Sequence, residues 1–371
     1  MNDMSDVREV PSKCDVLVVG LGPAGACAAH AAAQAGLDVV AIEKRAEIGT
    51  PVQCAEFVPL PMSKYTLAPG VFRQQIDGMT STLPSGAVAG TTFRGIMIDR
   101  ARFDQALASA AVDAGARALL ETVFDGFEAD RRSAVIRHAG ARHRIHFKVI
   151  VAADGPYSPV AEALGLPRLE TVDSRQYTVT LRRPNATTDI WLSPDYPGGY
   201  AWLFPKGDLA NVGLGFDRRF AIDLKAPLDA LHARLVAEGI VGSEILARTG
   251  GAIPVGGLRE QLVVGNALFV GDAGGLTHPI TGAGIASAVI SGQSAGEAIA
   301  RRLLGEGDAL AEWEEDMRDQ FEATLKRAVE RRHWMMEYWG RPEAKDDALH
   351  RRGWIAFPEY FAAGDALAAA V

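Results

Sequence analysis

Runs of apolar residues and their spacing divide the chain into strands and helices in a telling order. Val16–Val19 is a short β-branched run between Asp15 and Gly20, the pattern of a strand buried on both faces. Ala26–Ala35 then predicts a helix of small residues, and Leu37–Ile42 a second buried strand ending in Glu43. The proline- and glycine-bearing stretch 47–59 predicts a loop. Residues 93–107 predict a strand running into a helix that starts near Arg102, and Ile145–Ala153 predicts an apolar strand ending before Asp154-Gly155. Four alternating runs within 176–215 predict antiparallel strands, and 224–248 predicts a helical insertion. Leu262–Val270 reads as one more strand, Ile285–Leu304 as a long helix, and Ala309–Tyr338 as a charged helix.

That order predicts an α/β fold: a segmented nucleotide-binding domain (1–75, 99–172 and 261–306) interrupted by an antiparallel-sheet domain (76–98 and 173–260). A helical C-terminal region (307–371) follows.

The opening unit carries chemistry. Gly20, Gly22 and Gly25 follow the first strand at G-x-G-x-x-G spacing, with Pro23 and Ala24 between them. Gly20 permits a sharp turn, Gly22 lets a pyrophosphate approach the backbone, and Gly25 lets the helix pack on the sheet. The helix N-terminus offers free N–H groups and partial positive charge. Glu43 stands where a carboxylate accepts hydrogen bonds from ribose hydroxyls, and it would repel a 2′-phosphate.

Composition narrows the picture. The 371 residues are 48% hydrophobic and 23% charged, enough for a core without staples. A net charge of −8 argues against nucleic acid as a partner. Cys14, Cys27 and Cys54 show no metal-ligand spacing and suit a reducing compartment. The first ten residues lack the basic and apolar regions of a secretory signal, and Ala24–Gly36 is too short to span a bilayer. A cytoplasmic location is expected, with a peripheral membrane contact left open.

Three motifs together resemble the FAD-dependent hydroxylase superfamily, built like glutathione reductase at the nucleotide site: the glycine fingerprint, Asp154-Gly155, and F-V-G-D-A-G at 269–274 with Gly282 and Gly284 beyond. The resemblance implies that Asp272 binds the ribityl chain of FAD and that Gly282 and Gly284 bring amides to the isoalloxazine ring. It implies that Arg100, in I-D-R-x-x-F-D, contacts FAD on the far side of the nucleotide. The remaining cofactor positions so implied are Lys44, Val123, Gly271, Ala283 and Ile285.

Within that superfamily, P-G-G-Y-A-W-L-F-P at 197–205 resembles the Y-x-W-x-F-P signature of the geranylgeranyl reductase family. P-V-Q-C-A-E-F at 51–57 resembles its cysteine-bearing loop. The resemblance runs over roughly residues 14–305 and implies reduction of isolated double bonds in isoprenoid chains. Hydride would come from reduced FAD and a proton from the protein. Cys54 is the first candidate donor, Tyr200 and His278 are others, and Trp202 shares an aromatic wall with Tyr200 and Phe204 on one face of a strand. Glu56 reads as a loop carboxylate. No second dinucleotide fingerprint is present, and Ala161 stands where hydroxylases often carry an arginine linked to NAD(P)H use. Electrons are therefore expected from a ferredoxin-like protein or transiently bound NAD(P)H. A flavin monooxygenase acting on an aromatic or peptidyl substrate is the alternative, and a non-catalytic FAD protein a third. Trp334, Met335, Met336, Tyr338 and Trp339 read as core or interface residues, in a tail that caps a substrate tunnel, meets a membrane or forms a dimer face.

Overall fold

Strand Lys13–Val19 lies inside the first sheet of this computed structural model, which describes residues 9–220 and 223–362. It pairs in parallel with Val39–Ile42 on one side and Ala141–Ala152 on the other, and Arg117–Leu119 and Ala267–Phe269 extend the parallel run. Val16, Leu17 and Val18 are fully buried because both faces are covered, one by helices such as Pro23–Gln34 and the other by Phe124, Ala134 and Ile136 of strands Thr122–Phe127 and Ser133–His138. The alanine-rich helix Pro23–Gln34 is small-sided for a reason visible in its neighbour. A Cβ added at Gly292 would fall 2.0 Å from the Ala24 carbonyl oxygen, and one at Gly296 2.5 Å from that of Ala28. Helix Ile285–Leu303 therefore meets it backbone to backbone.

The second sheet also has eight strands among the described residues. It includes the expected runs as Thr171–Leu181, Thr187–Trp191, Ala201–Lys206 and Leu209–Asp217, together with Phe72–Thr82 and Val88–Ile98. These four pair antiparallel among themselves. Thr187–Trp191 and Phe72–Thr82 run parallel, contrary to a wholly antiparallel sheet. No hairpin joins those two strands, so nothing local forces opposite directions. Alternate residues of Ala201–Lys206 separate cleanly. Ala201 and Leu203 pack with Leu228, Leu231 and Leu235 of helix Lys225–Ala237, and Trp202 and Phe204 belong to a separate cluster with Tyr200.

Two sequence expectations fail here. The helical reading of 224–248 ends at Ala237, and Val241–Pro254 is a strand along Thr171–Leu181. Glu244, Leu246, Ala247 and Arg248 are good helix formers, but pairing with a neighbouring strand overrides that preference. Leu262–Val270 is not one strand but a hairpin of Val263–Val264 and Ala267–Phe269. Gly265 at φ +62° opens its two-residue turn, the position a II′ turn reserves for glycine.

Helix Ala309–Tyr338 packs Leu310, Trp313 and Met317 into the core of the first sheet. Further along, Arg332 forms a buried ion pair with Asp217 and donates to the Gly198 carbonyl, fastening the helix to the second sheet. The chain then returns so that Trp354 and Phe357 join the cluster of Met79, Leu192 and Trp202. Residues 1–8 and 363–371, on which part of the N-terminal and tail readings rest, lie outside the described residues. No helix among the described residues is long and apolar enough to cross a membrane.

Candidate active site

A cavity of about 1240 Å³ is lined by residues of both sheets. On one side stands the turn after the first strand. Gly20 has φ +97°, and a Cβ there would meet the Ala153 carbonyl oxygen at 2.4 Å. Gly25 does not line the cavity. It lies behind, where a Cβ would sit 1.9 Å from the Gly20 oxygen, so only glycine lets the helix pack this close. A Cβ at Gly22 would meet nothing within 4 Å, and Gly22 caps its helix without a side chain, leaving the first-turn amides open. Pro23, Ala24, Lys44 and Val123 also line the cavity. Glu43 is fixed at its strand end by the amides of Leu21 at 3.0 Å and Arg45 at 3.1 Å.

Helix Ile285–Leu303 opens on the same cavity, again without a side-chain cap, at Gly284. Gly271, Gly282, Ala283 and Ile285 line the approach. Asp272 accepts the Thr277 hydroxyl at 2.5 Å, and burial raises its carboxyl above the usual range. Asp154 accepts the Val160 amide at 2.9 Å through Oδ2, while its Oδ1 is buried with no hydrogen-bond partner; Gly155 beside it faces the cavity. Two uncapped helix starts, open space beyond Gly22 and a carboxylate oxygen awaiting a donor fit a dinucleotide with an anionic pyrophosphate and ribose or ribityl hydroxyls.

Tyr200, Trp202 and Phe204 form the facing wall. Trp202 Nε1 donates to Gln176 Oε1 at 3.1 Å, and Gln176 Nε2 donates to the Cys54 carbonyl at 3.0 Å. The Tyr200 hydroxyl donates to the Thr281 carbonyl at 2.5 Å. The wall is thus tied to the cysteine loop and to the glycine loop. Trp354, which sequence reasoning missed, meets Tyr200 edge to face with centroids 4.8 Å apart and donates Nε1 to Ser81 Oγ at 3.1 Å. Trp354 and Ile355 line the cavity, so the tail supplies part of it. A second, small cavity of about 30 Å³ lies under the tail, lined by Met335, Met336 and Trp339. Both cavities share Gly198, Gly199, Tyr200, Ile280 and Trp354, which form the partition between them.

Cys54 lies at the cavity edge, where burial pushes its thiol up and the Arg100 guanidinium pulls it down. The Glu56 amide donates to Sγ at 3.2 Å. Arg100 also lines the cavity and is held by Asp104 through two hydrogen bonds of 2.9 and 2.8 Å. Glu56 is no ordinary loop carboxylate: it is buried and bonded to Lys206. His278 is held by burial at a pKa of about 4, so its ring is neutral near pH 7. Its Nδ1 accepts the amides of Ile280 and Thr281, each at 3.3 Å, which places the ring at the service of its own loop.

Known proteins give this geometry a context. A family model described as FAD dependent oxidoreductase matches residues 15–157, one described as geranylgeranyl reductase catalytic domain matches 172–251, and one for lycopene cyclase protein matches 218–341. A digeranylgeranylglycerophospholipid reductase 1 from Methanopyrus kandleri is 37% identical, with 83% of this chain and 88% of that protein covered. A digeranylgeranylglycerophospholipid reductase from Methanocella arvoryzae is 38% identical, with 85% of each covered. Among solved structures, a geranylgeranyl bacteriochlorophyll reductase-like protein from Thermoplasma acidophilum superposes with a TM-score of 0.83 at 27% identity, over 92% of each chain. The flavin-dependent halogenase CmlS shares the fold alone, with a TM-score of 0.68 at 20% identity, over 91% of this chain and 67% of that one. A dinucleotide cradle facing an aromatic wall, in a sequence matched across most of its length by these reductases, identifies the chain as a member of the digeranylgeranylglycerophospholipid reductase family of FAD-dependent oxidoreductases.

Proposed function

We propose that the protein saturates isolated carbon–carbon double bonds in the isoprenoid chains of a lipid. One observation carries the reading: the dinucleotide cradle, the aromatic wall and the Cys54 thiol all face one cavity. In this reading the first-turn amides after Gly22 would hold the pyrophosphate, Glu43 the ribose, and Asp272 and Asp154 the hydroxyl-bearing linker. The amides around Gly282–Gly284, which line the cavity, would hold the ring system. FAD held by these residues would, when reduced, supply a hydride to one alkene carbon.

The protein supplies position and a proton. Tyr200, Trp202, Phe204 and Trp354 offer an apolar, aromatic surface to a chain with no polar handle, and exclude water. Cys54 Sγ carries a proton that its buried setting retains. As the second alkene carbon gains a C–H bond, the S–H bond breaks. The Arg100 guanidinium and the Glu56 amide then meet the negative charge left on sulfur. Solvent restores the proton between turnovers. His278, neutral and bonded to its own loop, acts by positioning the glycine loop. Electrons reach the site from a ferredoxin-like protein or transiently bound NAD(P)H.

A single anaerobic turnover tests the proposal. The flavoprotein is reduced chemically, mixed with a geranylgeranyl lipid, and followed by flavin absorbance and product mass. Reoxidation with hydrogen added to the lipid is expected. Reoxidation that waits for oxygen, with hydroxylation of an aromatic substrate under air, would replace this reading by the monooxygenase one.

A further inference from the structure

Glu56, two residues beyond Cys54, is 2% exposed. Its carboxylate is gripped by Lys206 Nζ at 2.7 and 2.8 Å, by Asn211 Nδ2 at 2.8 Å and by the Arg100 amide at 2.9 Å. Its backbone lies at φ +72°, a left-handed conformation that residues with a side chain rarely adopt. A buried ion pair is weak evidence for stability, since apolar residues of equal volume often serve as well. Strained backbone persists where its surroundings enforce it, and such sites cluster around function. What this bend achieves is local: it sets the Glu56 N–H against Cys54 Sγ.

We propose that Glu56 and Lys206 are the positioning pair for Cys54, holding the bend that aims the Glu56 amide at the sulfur and setting the charge balance that keeps the thiol protonated. The inference rests on the reading of Cys54 as the proton source. The charged and titratable groups facing the sulfur come from three elements. Arg100, backed by Asp104, comes from helix Arg100–Asp113; Glu56 comes from the loop; and the Tyr200 hydroxyl comes from the edge of the aromatic wall. Arg100 favours the thiolate and the Glu56 carboxylate opposes it. Lys206, on strand Ala201–Lys206, tempers Glu56 from its far side.

This arrangement predicts shifts of opposite sign. Glu56→Gln removes a negative charge beside the sulfur and leaves Lys206 unmatched, so the thiol loses its proton at lower pH. Lys206→Met leaves the carboxylate unmatched, so the thiol holds its proton to higher pH. The double variant removes both charges and falls between. The measurement is the pH dependence of Cys54 alkylation by iodoacetamide in the FAD-loaded protein, read by mass spectrometry of the Cys54 peptide. Cys14 and Cys27, buried with thiols pushed up to about 12, report any general opening.

The expected result is a midpoint lowered by about one pH unit in Glu56→Gln, the low end for a neighbouring charge, and raised in Lys206→Met. Midpoints that move in the same direction, accompanied by labelling of Cys14 and Cys27, would mean that the pair only braces the loop and would overturn the proposal. If Lys206→Met does not fold, the double variant decides: a midpoint returning toward wild type supports the proposal, and one equal to that of Glu56→Gln overturns it. Alkylation does not require turnover. Split midpoints alongside a normally active Cys54→Ala would therefore sink the proton-source reading and leave the charge coupling standing.

Discussion

Replacing Trp354 by alanine opens the partition between the two cavities, and its consequences can be worked from the structure. The indole is 3% exposed, set edge to face against Tyr200 and bonded to Ser81, itself fully buried. Losing a buried tryptophan destabilises by about 3–5 kcal/mol. Trp354→Phe keeps most of the ring and forfeits chiefly the hydrogen bond, a loss of about 1 kcal/mol. The small variant also joins the space of about 1240 Å³ to that of about 30 Å³ beneath the tail. Each extra buried carbon gains up to about 0.8 kcal/mol, so a further five-carbon isoprene unit gains at most about 4 kcal/mol. Part of that gain is lost in ordering the chain. A tenfold shift in relative kcat/KM toward the longer chain, about 1.4 kcal/mol, is therefore expected. The assay is competition between two lipids differing by one isoprene unit, under anaerobic turnover, with urea unfolding run in parallel. A folded, yellow Trp354→Ala protein with an unchanged chain-length preference would refute the partition as the boundary of the substrate space.

Three further outcomes follow from the site. Gly25→Ala puts a methyl 1.9 Å from the Gly20 oxygen, so the protein should lose about 1–3 kcal/mol of stability and its yellow colour; normal FAD retention on purification would show that the turn has slack. Cys54→Ala should keep FAD but slow anaerobic turnover by roughly 10²–10⁴, the range for a positioned proton donor, and an unchanged single-turnover rate would place the proton elsewhere. His278 ordinarily titrates at 6.5 and is held at about 4, so the unfolded chain takes up the proton first as pH falls. The native state therefore keeps this contribution above pH 6.5 and loses up to about 3 kcal/mol as pH drops to 4. His278→Asn retains an acceptor for the two loop amides and cannot titrate, so its stability curve should flatten across that window; superimposable curves would rule the histidine out.

What was legible in the sequence was local. Gly20, Gly22 and Gly25 lie within one turn, and their spacing alone specifies where a chain bends and what approaches it. Tyr200, Trp202 and Phe204 alternate along one strand, so one periodicity rule puts them on one face. What stayed hidden was assembled from distant parts of the chain. Glu56 meets Lys206 across 150 positions, and neither residue's neighbours announce the pair. Trp354 reaches Tyr200 only after a thirty-residue helix has crossed the molecule and the chain has turned back. The strand Val241–Pro254 was masked by helix-forming residues whose conformation is set by the strand beside them.

The placement of Trp354 also bears on how the molecule comes into being. Every residue of the dinucleotide cradle precedes position 286, and domains emerging from the ribosome begin to fold from their N-terminal end. The panel of the lipid side is therefore the last part of the cavity wall to be made, and it arrives when the segment around Trp354 settles against Tyr200. The Arg332–Asp217 clasp comes earlier in the chain: it fastens the long helix to the second sheet, and from that fastened helix the chain returns to set Trp354 in the wall.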